Sequence, residues 1–186
     1  MAKTSLKPNT ALYPAPTVLV TVGDAAGKSN VITLAWVGVV CSQPPMIGIS
    51  IRPGRYSAEL LKANGEFVVN VPDQRLLWAV DRCGMISGRD VDKWDASTLT
   101  PIPAEKVRPP LVSQCPICME CVVRQVISLG SHDLYLGEVV ALHVEESALD
   151  EHGRIDAKRL APIAYVAAEY WSLAERIGAH GFSSKK

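Results

Sequence analysis

The chain has 186 residues, 48% of them hydrophobic and 20% charged, a composition typical of one folded domain rather than of a disordered protein. Its 19 basic side chains balance 19 acidic ones, so no positive surplus indicates binding to nucleic acid. The N-terminus lacks an apolar signal core, and no apolar run approaches the ~20 residues of a membrane helix. We therefore expect a cytoplasmic protein that binds neither nucleic acid nor membranes.

The first half of the chain alternates β-branched segments with polar turns. Residues 17–22 and 31–40 flank a glycine-bearing turn, which predicts a hairpin whose second strand is long. Residues 46–51 and 66–71 predict two short strands, and residues 58–63 between them predict a short helix that stops at Gly65. Residues 73–83 predict a second helix, capped by Asp73.

The second half predicts a long hairpin preceded by irregular chain. Residues 84–94 form a glycine-punctuated loop, and residues 98–110 contain four prolines. Strand-like segments 117–127 and 134–144 flank a turn at 130–133, and a short strand follows at 162–166. We expect a single domain over residues 1–186, with a mobile N-terminus and C-terminal tail. Six or seven short strands with two short helices predict a mainly β protein built as a small barrel.

Five cysteines without a secretory signal indicate free thiols. Cys115, Cys118 and Cys121 share the spacing of a metal or cluster motif, but a fourth ligand at comparable spacing is missing. We therefore interpret these three residues as buried thiols that pack as small hydrophobic side chains.

The segment from Ser50 to Ser57 has the chemistry of a phosphate site. Two arginines, two serines and a glycine lie between a predicted strand and a predicted helix. Arginine offers a planar fork of donors to phosphate, and the N–H groups at a helix start favour an anion. The segment also fits a surface turn at Pro53 and Gly54, with Ser57 as the helix N-cap and solvated arginines. The segment alone leaves both interpretations open.

Residues 30–36, 49–57, 66–72, 83–94 and 131–139 together resemble one family, by their order and spacing. The chain resembles the flavin reductase-like, FMN-binding split-barrel family, and within it the branch of flavoredoxins and FMN-dependent ferric reductases. The resemblance covers roughly residues 16–173. It implies a Greek-key split barrel with a few short helices, a homodimer, and non-covalent FMN near the subunit interface.

The resemblance also implies which residues contact FMN. The phosphate contacts would come from Ser50, Ile51, Arg52, Arg55 and Ser57, with Arg55 and Ser57 as the main candidates. The isoalloxazine ring would lie against Thr33, Leu34, Ala35 and Trp36. Asn70 would bond the ribityl chain or the ring edge, and a loop would close over the cofactor with Gly84, Ser87, Arg89 and Lys93.

Each of these groups has a structural alternative. Thr33 and Trp36 could be core strand residues, and Asn70 could be a turn residue at a strand end. Arg89 and Lys93 could belong to a solvated cluster of ion pairs, in which each exposed pair contributes ~0–1 kcal/mol. Their joint occurrence favours the cofactor interpretation.

Two residues are candidates for catalysis. His132 lies in a turn before a strand, and the resemblance implies a histidine there that faces the flavin and binds the acceptor or nicotinamide, or donates a proton. Cys41 follows the predicted flavin-lining strand, where the ferric reductase branch has a cysteine near the metal substrate. The alternatives are a turn histidine bonded to backbone and an inert thiol.

The resemblance implies an oxidoreductase in which NAD(P)H reduces bound FMN. Electrons would then pass to free flavin, a ferric chelate or a protein acceptor, with the flavin carrying the chemistry. Two alternatives stay open. One is an electron carrier without its own NAD(P)H reaction, and the other is a non-catalytic dimeric binding protein on the same scaffold.

Overall fold

The computed structural model describes residues 1–184, which form three β-sheets, four α-helices and three short 3-10 helices. The strands are β1 (Ala15–Pro16), β2 (Val18–Gly23), β3 (Ser29–Leu34), β4 (Val37–Ser42), β5 (Pro45–Ile51), β6 (Glu66–Val71), β7 (Pro101–Ile102), β8 (Leu111–Val112), β9 (Ile117–Ser128), β10 (Asp133–Val144), β11 (Ile163–Val166) and β12 (Glu169–Ser172). The helices are α1 (Tyr56–Asn64), α2 (Leu77–Met85), α3 (Lys93–Ala96) and α4 (Ala157–Leu160).

Seven antiparallel strands make the main sheet, in the order β3-β2-β6-β9-β10-β5-β4. The two hairpins predicted from the sequence are present, because β2 pairs with β3 and β9 pairs with β10. A three-stranded sheet has the order β1-β11-β12, and β7 pairs with β8. The expectation of a mainly β protein with a few short helices is confirmed.

The main sheet curls around an interior core. Val20 from β2, Ile32 from β3, Ile49 from β5 and Phe67 from β6 belong to one buried cluster, so both ends of the sheet face the same interior. Helix α1 contributes Leu61 to this cluster. The helix ends as predicted at Gly65, whose φ of 70° places it in the left-handed region.

A second core lies on the outer face of the sheet. Leu19 and Val68 point outward from β2 and β6 and pack against Val80 of α2 and Trp94 of α3. Because successive side chains of a strand point to opposite faces, these strands are buried on both sides. That arrangement accounts for their nearly continuous apolar sequences, and it fixes α2 and α3 against β3.

The predicted long strand over residues 31–40 is wrong. The chain bends at Ala35 and Trp36, so the segment forms β3 and β4, which lie at opposite ends of the main sheet. Val37 pairs with Ile49 of β5. The uninterrupted apolar pattern conceals this bend, since every residue on both sides of it has strand propensity.

Helix boundaries also differ from the prediction. Asp73 accepts a hydrogen bond from the N–H of Arg75, but it caps a 3-10 turn at residues 74–76, after which α2 continues to Met85. The predicted loop over residues 84–94 is therefore shorter, and its last two residues begin α3. Asp92 caps α3 by accepting a bond from the N–H of Trp94.

The cysteines of the 115–121 segment are buried thiols. Cys115 and Cys118 lie in the outer core and Cys121 in the interior core. Burial raises the pKa of Cys118 and of Cys121 to about 12, which keeps both thiols protonated and unreactive. Among residues 1–184, no group of three or more His, Cys, Asp or Glu side chains is arranged to hold a metal ion.

The described helices are all short. None of those within residues 1–184 has the length and apolar character that crossing a membrane requires.

Candidate functional site

A cavity of about 210 Å³ lies between the end of β3, the start of α1 and the loop that follows α2. Four cationic side chains line it, and none of its described lining residues is acidic. We call it the basic chamber. Its cations are Arg52, Arg55, Arg89 and Lys93.

Lys93 is the most deeply buried of these cations, with only 5% of its surface exposed. It begins α3, and its Nζ donates a hydrogen bond to the backbone carbonyl of Cys83 at 2.7 Å. Burial lowers the pKa of Lys93, and the charge of Arg55 acts in the same direction. The hydrogen-bond partner of this buried ammonium group is a neutral carbonyl oxygen. An anion in the adjacent cavity would therefore stabilise its positive charge.

The start of α1 forms the opposite wall of the basic chamber. Arg55 precedes the helix, and its side chain makes no capping bond. Ser57 is the second helical residue and is 1% exposed, so the alternative that Ser57 is a surface N-cap is wrong. Its Oγ accepts a hydrogen bond from Nδ2 of Asn30 at 2.8 Å. Arg55, Tyr56 and Ser57, at the start of α1, therefore line the cavity together, where the helix N-terminus favours an anion.

Among the described ion pairs, Arg89 is the one cation of the basic chamber that takes part. Its guanidinium donates to a carboxylate oxygen of Glu59 and lies 5.3 Å from the ring centroid of Tyr56. Its side chain is 47% exposed in this ion pair. The alternative of a solvated ion pair therefore describes Arg89 in part, whereas it does not describe buried Lys93.

A second cavity, of about 710 Å³, adjoins the first. The two share the wall formed by Thr33, Leu34, Ser50, Gly84 and His132. Four aromatic residues line the second cavity, and we call it the aromatic chamber. They are Tyr13, Trp36, Tyr165 and Tyr170.

The bend between β3 and β4 positions the shared wall. The carbonyl of Trp36 accepts a hydrogen bond from the N–H of Ser50 at 3.0 Å, which ties the bend to β5. Thr33 donates its hydroxyl proton to the carbonyl of Val80 in α2. Because the hydroxyl proton of Thr33 already has this partner, the methyl group and backbone of Thr33 are the groups left to contact a ligand in the chambers.

His132 faces both chambers. Its ring centroid lies 4.6 Å from that of Trp36, and its Nδ1 is 2.8 Å from the hydroxyl of Ser131. Burial lowers the pKa of His132, and the charge of Arg52 lowers it further. Both effects favour the neutral imidazole near pH 7, which can accept a hydrogen bond at one ring nitrogen and donate at the other.

The structure brings most of the predicted cofactor residues together. Those on the basic chamber are Thr33, Leu34, Ser50, Ile51, Arg52, Arg55, Ser57, Gly84, Ser87, Arg89 and Lys93. Ala35 and Trp36 line the aromatic chamber. Sequence reasoning missed Asn30 and Tyr56 as lining residues, although both lie in segments that carry the family resemblance. It also missed Tyr13 and Asp81, which no local pattern marks.

The prediction that Asn70 contacts the cofactor is not supported by its position. Asn70 is fully buried on β6 and lines neither chamber. Its Nδ2 donates to the carbonyl of Leu19, and its Oδ1 accepts from the N–H of Val112. Both ends of the amide are therefore used to fasten β8 and β2 to β6.

Cys41 lies near the far end of β4, five residues beyond Trp36, and does not line either chamber. At ~3.3 Å per residue, that separation places it roughly 16 Å along the strand from the bend. Its half-buried thiol donates to the carbonyl of Gln43. A role for Cys41 stays a prediction that depends on a metal substrate reaching β4.

Comparison with known proteins identifies the same architecture. The family model described as "Flavin reductase like domain" matches residues 10–174. The chain is similar to a protein of Archaeoglobus fulgidus, 36% identical over 145 residues that cover 78% of this chain and 80% of that protein.

Two solved structures are similar over nearly their full lengths. Flavoredoxin of Desulfovibrio vulgaris is 31% identical, with a TM-score of 0.92 over 99% of this chain and 100% of that chain. An FMN-binding protein from Thermus thermophilus, solved with bound 1-cyclohex-2-enone, is 28% identical, with a TM-score of 0.80 over 96% of this chain and 97% of that chain.

Proposed function

Since the chain belongs to the flavin reductase-like domain family, we propose that it binds FMN non-covalently and acts as an NAD(P)H-dependent oxidoreductase. The electrons pass from the bound flavin to free flavin, a ferric chelate or a protein acceptor. One observation carries the proposal: a chamber lined by cations shares a wall of five residues with a chamber lined by aromatic rings. FMN has a doubly charged phosphate at one end and a flat ring at the other.

The residues of the basic chamber fit the phosphate. Lys93 is a buried ammonium without an acidic partner among the described ion pairs, and Arg55 and the first residues of α1 line the same cavity. A phosphate dianion would compensate these charges and accept their hydrogen bonds. Ser57 adds a hydroxyl whose proton is free, because its oxygen already accepts from Asn30.

The residues of the shared wall fit the flavin ring. Thr33, Leu34 and Gly84 offer small or apolar surfaces and backbone groups, which allow a flat ring to approach and to bond along its polar edge. When bound, FMN supplies the hydride and electron chemistry. The protein's part is to orient the ring, to exclude water with Trp36, and to offer the neutral His132 imidazole as a hydrogen-bond donor to the substrate.

Visible absorbance tests the proposal. Flavin-free protein titrated with FMN is expected to bind one FMN per chain, and the loaded protein mixed anaerobically with NADH or NADPH is expected to bleach rapidly. Failure to take up FMN would contradict the cofactor assignment and would favour a non-catalytic binding protein.

A flavoredoxin-type electron carrier is the second candidate function. It is supported by the 31% identity to the Desulfovibrio vulgaris flavoredoxin over 99% of this chain and 100% of that chain. Flavin uptake without bleaching by NADH or NADPH, together with reduction by a reduced ferredoxin, would favour the carrier over the reductase.

The acceptor of the reductase can be a small molecule. The Thermus thermophilus relative holds a cyclic enone, and the aromatic chamber of this chain has room beside the shared wall. Reoxidation of the reduced, FMN-loaded protein by free flavin, ferric citrate and cyclohexenone, followed separately by absorbance, would rank these acceptors.

We also propose that the protein is a homodimer. The outer face of β4, β5 and β10 has no helix packed on it among the described residues, whereas α2 and α3 cover the outer face of β2 and β3. Val40 is 50% exposed there and packs with Leu134 and Leu136 around Gly48. An apolar patch of this kind typically marks an interface. Light scattering is expected to give twice the chain mass, and Val40→Asp is expected to give monomers.

A further inference from the structure

Arg89 connects the loop between α2 and α3 to the start of α1. Its Nη2 donates to Oε2 of Glu59, in the first turn of α1, at 2.5 Å, and its Nη1 donates to the carbonyl of Gly54 at 3.4 Å. The guanidinium also lies over the ring of Tyr56, which lines the basic chamber. Three contacts therefore hold this one side chain between the loop and the helix.

The loop backbone beside Arg89 packs directly against the sheet and α1. A Cβ at Gly88 would overlap the side-chain amide of Asn30 and would lie 3.0 Å from Cδ1 of Tyr56. The absence of a side chain at Gly88 is what allows so close an approach. Gly88 and Arg89 thus follow one another in a segment that is held against β3 and α1, and we call these two residues the Arg89 strap.

A third cavity, of about 460 Å³, adjoins the basic chamber at the Arg89 strap. Lys28 lines it from the turn between β2 and β3, with its Nζ 5.2 Å from the ring centroid of Tyr56. Four residues line both cavities, and they are Asn30, Gly88, Arg89 and Lys93. The strap therefore belongs to the wall that separates the third cavity from the basic chamber.

The charges of the two cavities differ. The basic chamber has cations and no described acidic lining residue, whereas Asp90 and Asp92 line the third cavity beside its cations. A phosphate monoester, such as that of FMN, carries about two negative charges at pH 7 and ends at its phosphate. A phosphate within a dinucleotide carries a single charge and continues into further atoms. The enclosed cations of the basic chamber compensate the monoester better, and the strap lies where a longer ligand would have to continue.

We propose that the Arg89 strap makes the basic chamber selective for a flavin monophosphate over flavin adenine dinucleotide, FAD, whose adenylate would have to cross into the third cavity. Arg89 is then a specificity-determining residue. Glu59 lines neither cavity and is a positioning residue that acts through Arg89. The proposal deepens the proposed function and rests on it for the phosphate of FMN in the basic chamber.

Equilibrium dialysis of the flavin-free protein, followed by visible absorbance, gives the dissociation constants of FMN and FAD. FMN is expected to bind ~10-fold or more tightly than FAD, because FAD can enter only if the strap opens. Equal binding of the two flavins would overturn the selectivity and leave the proposed function intact. A chain that binds neither flavin would overturn both proposals.

Two variants locate the selectivity at the strap. Arg89→Ala shortens it and Glu59→Ala releases the guanidinium, so both are expected to reduce the FMN preference ~3-fold or more by tightening FAD binding. Glu138→Ala is the matched control, because Glu138 pairs with Arg124 and lines neither cavity. An unchanged ratio of dissociation constants in both strap variants would overturn the proposal, and so would a lower ratio that comes from weaker FMN binding alone.

Lys28 tests whether the adenylate enters the third cavity. Lys28 lines that cavity and does not line the basic chamber. Adding Lys28→Ala to Glu59→Ala is therefore expected to reverse most of the gain in FAD affinity and to leave FMN affinity unchanged. FAD binding that does not respond to Lys28→Ala would overturn the assignment of the adenylate to the third cavity.

Discussion

The side-chain amide of Asn30 donates a hydrogen bond to the hydroxyl of Ser57, with Nδ2 and Oγ 2.8 Å apart. Asn30 lies on β3 and Ser57 in the first turn of α1, so this bond joins two walls of the basic chamber. Both side chains are buried. The bond therefore fixes the helix start relative to the sheet and orients the Ser57 hydroxyl toward the cavity.

Asn30→Ala is expected to lower the free energy of unfolding by ~1–2 kcal/mol, because it leaves the buried Ser57 hydroxyl without its donor. Ser57→Ala should have a similar effect, and a double-mutant cycle should give a coupling energy of ~0.5–1.5 kcal/mol. Urea unfolding of the four proteins measures these values. Strictly additive effects would show that the bond contributes nothing to the packing of α1 on β3.

Arg55→Ala is expected to weaken FMN binding by ~1–3 kcal/mol, through the loss of charge-assisted bonds to the phosphate. Arg124→Ala is the matched control, since Arg124 pairs with Glu138 on the surface of β9 and lies outside both chambers. Equilibrium dialysis with FMN provides the affinities. Retention of flavin by the Arg55 variant at the level of the control would refute the phosphate assignment.

Local sequence patterns predicted the elements of this fold better than their boundaries. The β6 prediction is correct because Gly65 and Pro72 delimit the strand on both sides. The bend at Ala35 and Trp36 has no such marker, since it is imposed by the distance between the two ends of the main sheet. A constraint that comes from the tertiary structure cannot be recognised in a short stretch of local sequence.

The candidate site was predictable where its residues are contiguous in sequence. Arg52 to Ser57 surround one cavity because a single turn and the start of α1 hold them. Asn70 lies outside both chambers, and the sequence does not show this, because a buried amide that joins two strands has the same residue type as one that binds a ligand. Tyr13 and Tyr170 reach the aromatic chamber from distant parts of the chain, and only the fold brings them together.

Glu120 is expected to make the free energy of unfolding decrease at acid pH. Its carboxylate is fully buried on β9, accepts hydrogen bonds from the N–H groups of residues 105, 106 and 107, and lies 2.6 Å from Nε2 of His143. Burial alone would raise the pKa of Glu120, but these hydrogen bonds outweigh burial and lower it. A lowered pKa in the folded state means that the carboxylate stabilises the fold above about pH 4.5, and that this contribution is lost as the pH falls through the folded-state pKa.

Glu120→Gln is therefore expected to lower the free energy of unfolding by ~1–3 kcal/mol at pH 7, because one amide group cannot accept all four bonds. The difference from the unaltered protein should shrink below pH 4. Thermal unfolding between pH 3 and pH 7 measures both effects. A difference that stays constant across this range would exclude titration of Glu120 as its cause.

Gly137→Ala is expected to destabilise the interior core by ~1–3 kcal/mol, since a side chain there would overpack the core. A Cβ at Gly137 would overlap the ring of Phe67 and lie 3.2 Å from the Cβ of Cys121. Gly54→Ala is the control, because its Cβ would have open space and its backbone is not left-handed. Urea unfolding that gives equal midpoints for the two variants would contradict the packing of Phe67 against β10.

The bend at Ala35 and Trp36 also determines how the main sheet closes. Its outermost strands, β3 and β4, are neighbours in sequence, so two residues of covalent chain span the gap between its ends instead of a ladder of hydrogen bonds. Leu34, the last residue of β3 beside this gap, lines both chambers. A ligand bound at this gap contacts both edges of the sheet, and its binding raises the free energy of unfolding of the whole barrel. Occupancy of the site should therefore slow amide exchange along β6 and β9, which line neither chamber.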